Sequence, residues 1–308
     1  MLASCLSLVS WYGTYLHRCL SAAGLSSQMV DVDDETTIHF WGPKRSPNYD
    51  SSSKPALILI HGFGPRGEWQ WRRQVVFFAP HFDVYVPDLV FFGESTTKSS
   101  ERSEVFQAVC VGKLMEKLGV ERYAVLGTSY GGFVAYHLAE MWPERVEKVV
   151  IASSGVNMRR SDNVELLRRA KAEKIDDVML PQTAAQLSKL MGLALFRRPY
   201  MPRFLLHDFI DKLYSDNRKE KMELLKGLSV GWDDTVNISP LQQEVLIVWG
   251  DHDQIFLLEK ATELKELLGE KARLEVIKNT SHVPQLEQAR QFNNIVMNFL
   301  CGSSSLSY

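Results

Sequence analysis

The chain has 308 residues, of which 45% are hydrophobic and 23% charged, and its formal net charge is −2. That composition suits one large globular domain, or a domain with an insertion, and no Lys/Arg block supports nucleic-acid binding. The four cysteines, Cys5, Cys19, Cys110 and Cys301, show no CxxC spacing; they fit a reducing, cytoplasmic setting and define neither a zinc site nor a redox pair. The sequence calls for no metal and no cofactor.

Residues 1–30 open the chain as an amphipathic segment. Leu2, Leu6, Val9, Tyr12, Leu16 and Leu20 recur at roughly helical spacing, and that stripe either packs on the domain or rests on a membrane surface. The uncharged stretch is too short and too polar to span a bilayer. From Thr36 onward, strand and helix alternate. Thr36–Trp41 reads as a strand, and "ALILI" (Ala56–Ile60) as a buried one ending at "HGFG". A helix is expected over Glu68–Phe78, a strand in "FDVYVPDL", a helix over Glu101–Leu118, a strand over Arg122–Leu126, a helix over Tyr130–Met141 and a strand in "VEKVVIAS". This is α/β alternation: a mostly parallel sheet with helices on both faces.

After Ser153 the pattern breaks. The 90 residues before Glu244 contain no convincing buried strand, too many for a connection, so a helical cap is expected over 156–236. It divides a core made of 31–155 and 237–302. From Asn157 to Leu228 it holds 15 Lys/Arg against 10 Asp/Glu, and "LMGLALF" runs into "RRPYMPR". Two readings stand, a lipid-facing segment and a solvated cap over the site; both predict an apolar pocket. Alternation resumes with a strand in "EVLIVWG", a helix over Phe256–Leu268, a strand in "ARLEVIKN" and a single helix over Pro284–Leu300.

Gly62, Gly64 and Gly67 form a GxGxxG after a strand, with Asp88 about 20 residues on, the spacing of a dinucleotide site. Pro65 inside the motif and bulky Trp69 and Trp71 in the first helical turn argue against a pyrophosphate at that helix start. A stronger signal lies at Gly127-Thr128-Ser129-Tyr130-Gly131. A GxSxG between strand and helix is the sharp turn that lifts a serine hydroxyl above a sheet. The hydroxyl needs a base. Of the eight histidines, His282 directly follows the last strand, at the sheet edge where such folds place their sites. Asp253, beyond the preceding strand, is the acid chosen to orient it, with Asp251 bracing the turn; the order is Ser…Asp…His. The amide N–H groups of Phe63 and Tyr130 are positioned by the same template to hold an oxyanion. Asp88, which could also serve as a second acid, is expected to brace a turn; Phe91 and Phe92 stand as candidates to line the acyl pocket, with ordinary core packing as the equal alternative.

"HGFG", "PDLVFFGES", "GTSYGG", "WGDHDQIF" and "SHVPQLE", in that order, resemble an α/β-hydrolase of the lipase and esterase type from about Thr36 to Leu300. The chain is similar to plant α/β-hydrolases and to monoacylglycerol-lipase-like enzymes. The resemblance implies that Ser129, Asp253 and His282 form the triad and that Phe63 and Tyr130 form the oxyanion hole. It departs from a common family pattern in carrying Ser281, where Gly often precedes the histidine. The implied substrate is a small ester with an apolar acyl or alcohol part. The same machinery also serves carbon–carbon bond hydrolases and hydrolase-like ligand receptors of slow turnover.

Overall fold

Residues 7–44 and 54–302 are described by a computed structural model. Helix α1 (Leu8–Ala22) leads into β1 (Leu25–Asp31) and β2 (Thr36–Pro43). Then follow β3 (Ala56–Ile60), α2 (Gly67–Phe78), β4 (Asp83–Pro87), the two-residue β5 (Thr96–Thr97), α3 (Glu104–Lys117), β6 (Tyr123–Thr128), α4 (Tyr130–Met141) and β7 (Val146–Ala152). Five helices come next: α5 (Arg160–Ala170), α6 (Ile175–Met179), α7 (Ala184–Ala194), α8 (Arg203–Leu213) and α9 (Arg218–Lys226). The chain closes with β8 (Glu244–Gly250), α10 (Leu258–Leu268), β9 (Ala272–Ile277), α11 (Pro284–Glu287) and α12 (Ala289–Cys301).

Among the described residues the sheet has nine strands in the order β1-β2-β4-β3-β6-β7-β8-β9, with β5 paired to β2. From β4 to β9 every pairing is parallel, and β2 joins β1 and β4 antiparallel. The central strands are runs of Val, Ile and Leu because both their faces are covered; all five residues of β3 are buried. One face packs on α3, α4 and α10 through Val111, Leu114, Val134, Leu138 and Leu264. The other packs on α2 and α12 through Trp71, Val75, Phe78, Phe292 and Val296. A third apolar cluster holds α5 to α8 together through Leu166, Leu187, Leu190, Leu206 and Leu213, and Val9 of α1 joins it.

Two elements differ from expectation. Residues 25–31 form the edge strand β1, whose mixed burial and Ser-Ser-Gln content hide a two-residue period. The closing helix is two helices, interrupted at Gln288, whose φ of −124° and ψ of 52° leave the helical region. In α1, Val9, Leu16 and Leu20 of this stripe are buried against the domain, whereas Tyr12 is exposed; Leu2 and Leu6 lie outside the described residues. Among the described residues no helix is long and apolar enough to cross a membrane.

Candidate active site

Ser129 stands between β6 and α4 with φ 52° and ψ −121°. A non-glycine residue there costs on the order of 1–3 kcal/mol, so the surroundings must enforce it. Its N–H donates to Ala152 O at 2.9 Å, and its carbonyl accepts from Ser154 Oγ at 2.6 Å and from Gly132 N at 2.9 Å. The turn closes only because its neighbours lack side chains. A Cβ on Gly127 would lie 2.0 Å from Gly131 O, and one on Gly131 would lie 2.3 Å from Ile60 O.

The serine, the histidine and the aspartate selected from the sequence are brought together. Ser129 Oγ lies 2.9 Å from His282 Nε2, and His282 Nδ1 lies 2.9 Å from Asp253 Oδ2. All three residues are buried. The second oxygen, Asp253 Oδ1, accepts the Ile255 and Phe256 N–H groups at 2.8 and 3.0 Å, which fixes the plane of the carboxylate. An ionised carboxylate held this way selects the imidazole tautomer with hydrogen on Nδ1, leaving Nε2 free to take the serine proton. Asp251 instead accepts from His252 Nδ1 and Thr280 N, bracing the turn as its position suggests.

The histidine loop is riveted from above. Ser281 Oγ lies 2.9 Å from Leu193 O and 3.0 Å from His252 O, and the His282 N–H donates to Ala194 O at 3.1 Å. Glu287 Oε2 accepts Ser281 N at 2.7 Å while its Oε1 accepts Phe196 N at 2.9 Å. The serine in place of glycine thus ties the loop to the end of α7. Glu287 was not visible as a site residue in the sequence, because a carboxylate on a polar helix reads as solvent-facing.

Phe63 and Tyr130 present the two amide N–H groups, and neither N–H has a hydrogen-bond partner among the described residues. Gln70, which sequence reasoning missed, clamps the Phe63 loop: its Oε1 accepts Gly62 N at 2.8 Å, and its Nε2 donates to Gly62 O and Pro65 O. His61 supports the loop from below, with Nδ1 2.8 Å from Gly62 O and Nε2 accepting from Leu89 N at 3.0 Å. That pair of bonds requires a neutral ring, and complete burial lowers its pKa accordingly, against the opposing pull of Asp88.

Asp88 braces the next loop. Its Oδ1 accepts Gly67 N at 3.1 Å and its Oδ2 meets His39 Nδ1 at 2.9 Å. Burial depresses the His39 imidazole, but the bond and charge of Asp88 outweigh it and raise the pKa. The glycines of the dinucleotide-like motif are therefore spent on a protein turn. Phe91 and Phe92 are not pocket residues, which corrects the sequence expectation: neither lines the two cavities at Ser129. Phe92 is fully buried against His61 and Phe63, and Phe91, at φ 72°, lies under the Arg102 guanidinium. Phe92 thus backs the Phe63 loop.

The larger cavity at Ser129, about 250 Å³, is lined by Trp69, Leu187, Leu190, Met191, Phe209 and Ile255 among others. A smaller one of about 50 Å³ opens on the other side, between Tyr130, Phe133, Ile175, Met179 and Leu228. Neither lining includes a Lys or Arg. Such a lining suits an apolar ligand, with the Ser129 hydroxyl and His282 at its wall.

The α/β-hydrolase fold family matches residues 55–289 of the chain. The chain belongs to that family. It is 25% identical over 292 residues to the 2-hydroxy-6-oxo-6-phenylhexa-2,4-dienoate hydrolase of Burkholderia cepacia, covering 88% of this chain and 99% of the relative. It is also 25% identical over 260 residues to the monoacylglycerol lipase ABHD6 of Mus musculus, covering 80% and 76%. Among solved structures, the 2-hydroxy-6-oxo-6-phenylhexa-2,4-dienoate hydrolase of Rhodococcus sp. strain RHA1 shares the fold with a TM-score of 0.72 at 22% identity, over 90% of this chain and 99% of that one. The α/β-hydrolase match ends just beyond Glu287, so it includes Ser129, Asp253 and His282.

Proposed function

We propose that the protein is a serine hydrolase that cleaves carboxylic esters with an apolar acyl or alcohol part. Ser129 attacks the ester carbonyl while His282 takes its proton, and Asp253 stabilises the imidazolium that results. The Phe63 and Tyr130 N–H groups receive the oxyanion, each supplying about 3 kcal/mol of transition-state stabilisation. His282 then protonates the leaving alcohol, and water resolves the acyl-enzyme by the reverse path.

The observation that carries the ester reading is the lining of the cavities. A dienoate, the substrate class in the names of the Burkholderia and Rhodococcus proteins, brings an ionised carboxylate that costs several kcal/mol to bury without a cation. The two cavities at Ser129 offer Met, Leu, Ile and Phe and no Lys or Arg. A neutral ester fits that lining, and the name of the ABHD6 relative, a monoacylglycerol lipase, points the same way.

Steady-state hydrolysis of p-nitrophenyl esters from acetate to palmitate tests this, with Ser129→Ala as the blank. Turnover lost by about 10⁵-fold or more in the variant is expected, with the best substrate at medium or long chain length. Ester turnover that survives in Ser129→Ala overturns the assignment of the nucleophile. Cleavage of a dienoate, with esters left intact, overturns the ester reading in favour of carbon–carbon hydrolysis.

A further inference from the structure

Among the described residues, six of the eleven large exposed apolar side chains belong to α1 or to the start of α8 and the residues just before it; Met29, Val76, Val164, Trp232 and Val276 lie elsewhere. Trp11 is 61% exposed, and Leu8, Tyr12 and Tyr15 of the same helix are each between 43 and 49%. On α8 Phe204 is 66% exposed, and Tyr200 just before that helix is 93%. The two groups adjoin. The Val9 N–H donates to Asp208 Oδ2 at 3.0 Å, and Phe204 lies four residues before Asp208, on the same face of α8. Single exposed aromatics are ordinary, but a contiguous set marks an interaction surface.

This surface is the outer skin of the cavity wall. Tyr12 packs on Trp69 with ring centroids 5.1 Å apart, and Trp69 packs on Phe209 at 5.5 Å. Trp69 and Phe209 line the cavity at Ser129. An outer opening is lined by Arg198, Tyr200 and Arg203 together with Met191 and Met201, and both methionines also line the inner cavity. The outer and inner cavities thus meet at these two methionines, beside the exposed Tyr200.

Its charge is as specific as its apolarity. Arg197, Arg198 and Arg203 are exposed and have no carboxylate partner among the described residues. The acids nearby are already engaged: Asp208 accepts the Val9 N–H, and Asp211 pairs with Lys212 at 2.8 Å. Unpaired arginines beside Trp, Tyr and Phe match a bilayer surface, where rings sit at headgroup level and guanidiniums meet phosphates.

We propose that α1, the α7–α8 segment and the start of α8 together dock on a lipid bilayer carrying anionic headgroups. The cavity opening then faces the lipid, and an apolar ester passes from the bilayer toward Ser129 without crossing water. That last step rests on the ester reading; the docking does not. The surface is peripheral, since no described helix spans a membrane.

The test uses the full chain carrying Ser129→Ala, so that no lipid is consumed, sedimented with vesicles of phosphatidylcholine alone or mixed with phosphatidylglycerol. Binding is expected to the mixed vesicles. Trp11→Ser with Phe204→Ser should weaken it by about tenfold or more. Arg197→Gln with Arg198→Gln should weaken it by about 25-fold, near fivefold per charge, and remove the preference for phosphatidylglycerol. All four side chains are exposed, so unchanged melting curves are expected. Failure of the parent to sediment overturns the proposal, as does binding that both double variants retain. A doubled mass in analytical ultracentrifugation that the Trp11/Phe204 variant loses overturns it too, by assigning the face to a second copy of the chain. Because no turnover is measured, an enzyme inactive on esters leaves the docking result standing.

Discussion

The turn at Ser129 and the helices above it are built on different physics. Around Ser129, Phe63 and His282 almost every constraint is a hydrogen bond to backbone: Asp253 on two amides, Gln70 on three loop groups, Ser154 on the serine carbonyl. Hydrogen bonds are directional, so these groups sit at fixed distances. Helices α5 to α8 meet the site mainly through Leu, Met and Phe. Apolar contact is non-directional and tolerates exchange of shape. The Ser129–His282–Asp253 geometry is therefore held by directional bonds, some of them to the end of α7, while the apolar lining is a surface that can be repacked.

That division is open to breakage, and the sharpest blow falls on the sheet side. Asp253→Asn should reduce kcat by about 10⁴-fold by favouring the wrong imidazole tautomer, equally for acetate and palmitate esters; a loss confined to long esters would contradict it. On the helical side, Met191→Trp should narrow the cavity and lower kcat/KM for long esters by roughly 10²-fold while acetate hydrolysis stays intact. An equal loss for both would mean that the helices govern the chemistry after all. Gln70→Ala should loosen the Phe63 loop and lower kcat by about tenfold with KM nearly unchanged, measured on any ester.

The smallest effect is one of pH. The His61 pKa is lowered in the fold, so its contribution to stability is complete above the unfolded value of about 6.5 and is lost as pH falls below it. His39, whose pKa is raised by Asp88, works in the opposite sense: its contribution is complete below about 6.5 and lost as pH rises through the folded value. NMR of the histidine rings should show His61 still neutral at a pH where His39 is charged. Equal midpoints would remove the claim that the Phe63 loop rests on a neutral ring.

Much of this site was legible because its residues are forced. Gly127 and Gly131 have no room for a Cβ, and Ser129, Asp253 and His282 each follow the carboxyl end of a parallel strand, β6, β8 and β9. The buried strands β3, β7 and β8 were equally plain, since burial on both faces leaves an unbroken apolar run. What stayed hidden works through long-range partners. Gln70 and Glu287 look like surface residues until the loops they hold are folded beside them. β1 was obscured because an edge strand needs an apolar face on one side only. Phe91 and Phe92 misled because an aromatic pair near a motif gives no sign of which way its turn faces.

The bonds between the histidine loop and α7 restrict how the molecule opens. Leu193 and Ala194 give their carbonyls to Ser281 and His282, so α7 is no free panel. Lifting it would draw the imidazole away from Ser129, and a door hung there would disarm the site each time it moved. Phe196 and Arg197 are tied to Glu287 as well, and only beyond them, where Pro199 and Pro202 interrupt the helical path, does the segment carry no bond to the histidine loop among the described residues. On the proposed ester reading, movement confined to that point would leave the Ser129–His282–Asp253 contacts assembled from one turnover to the next.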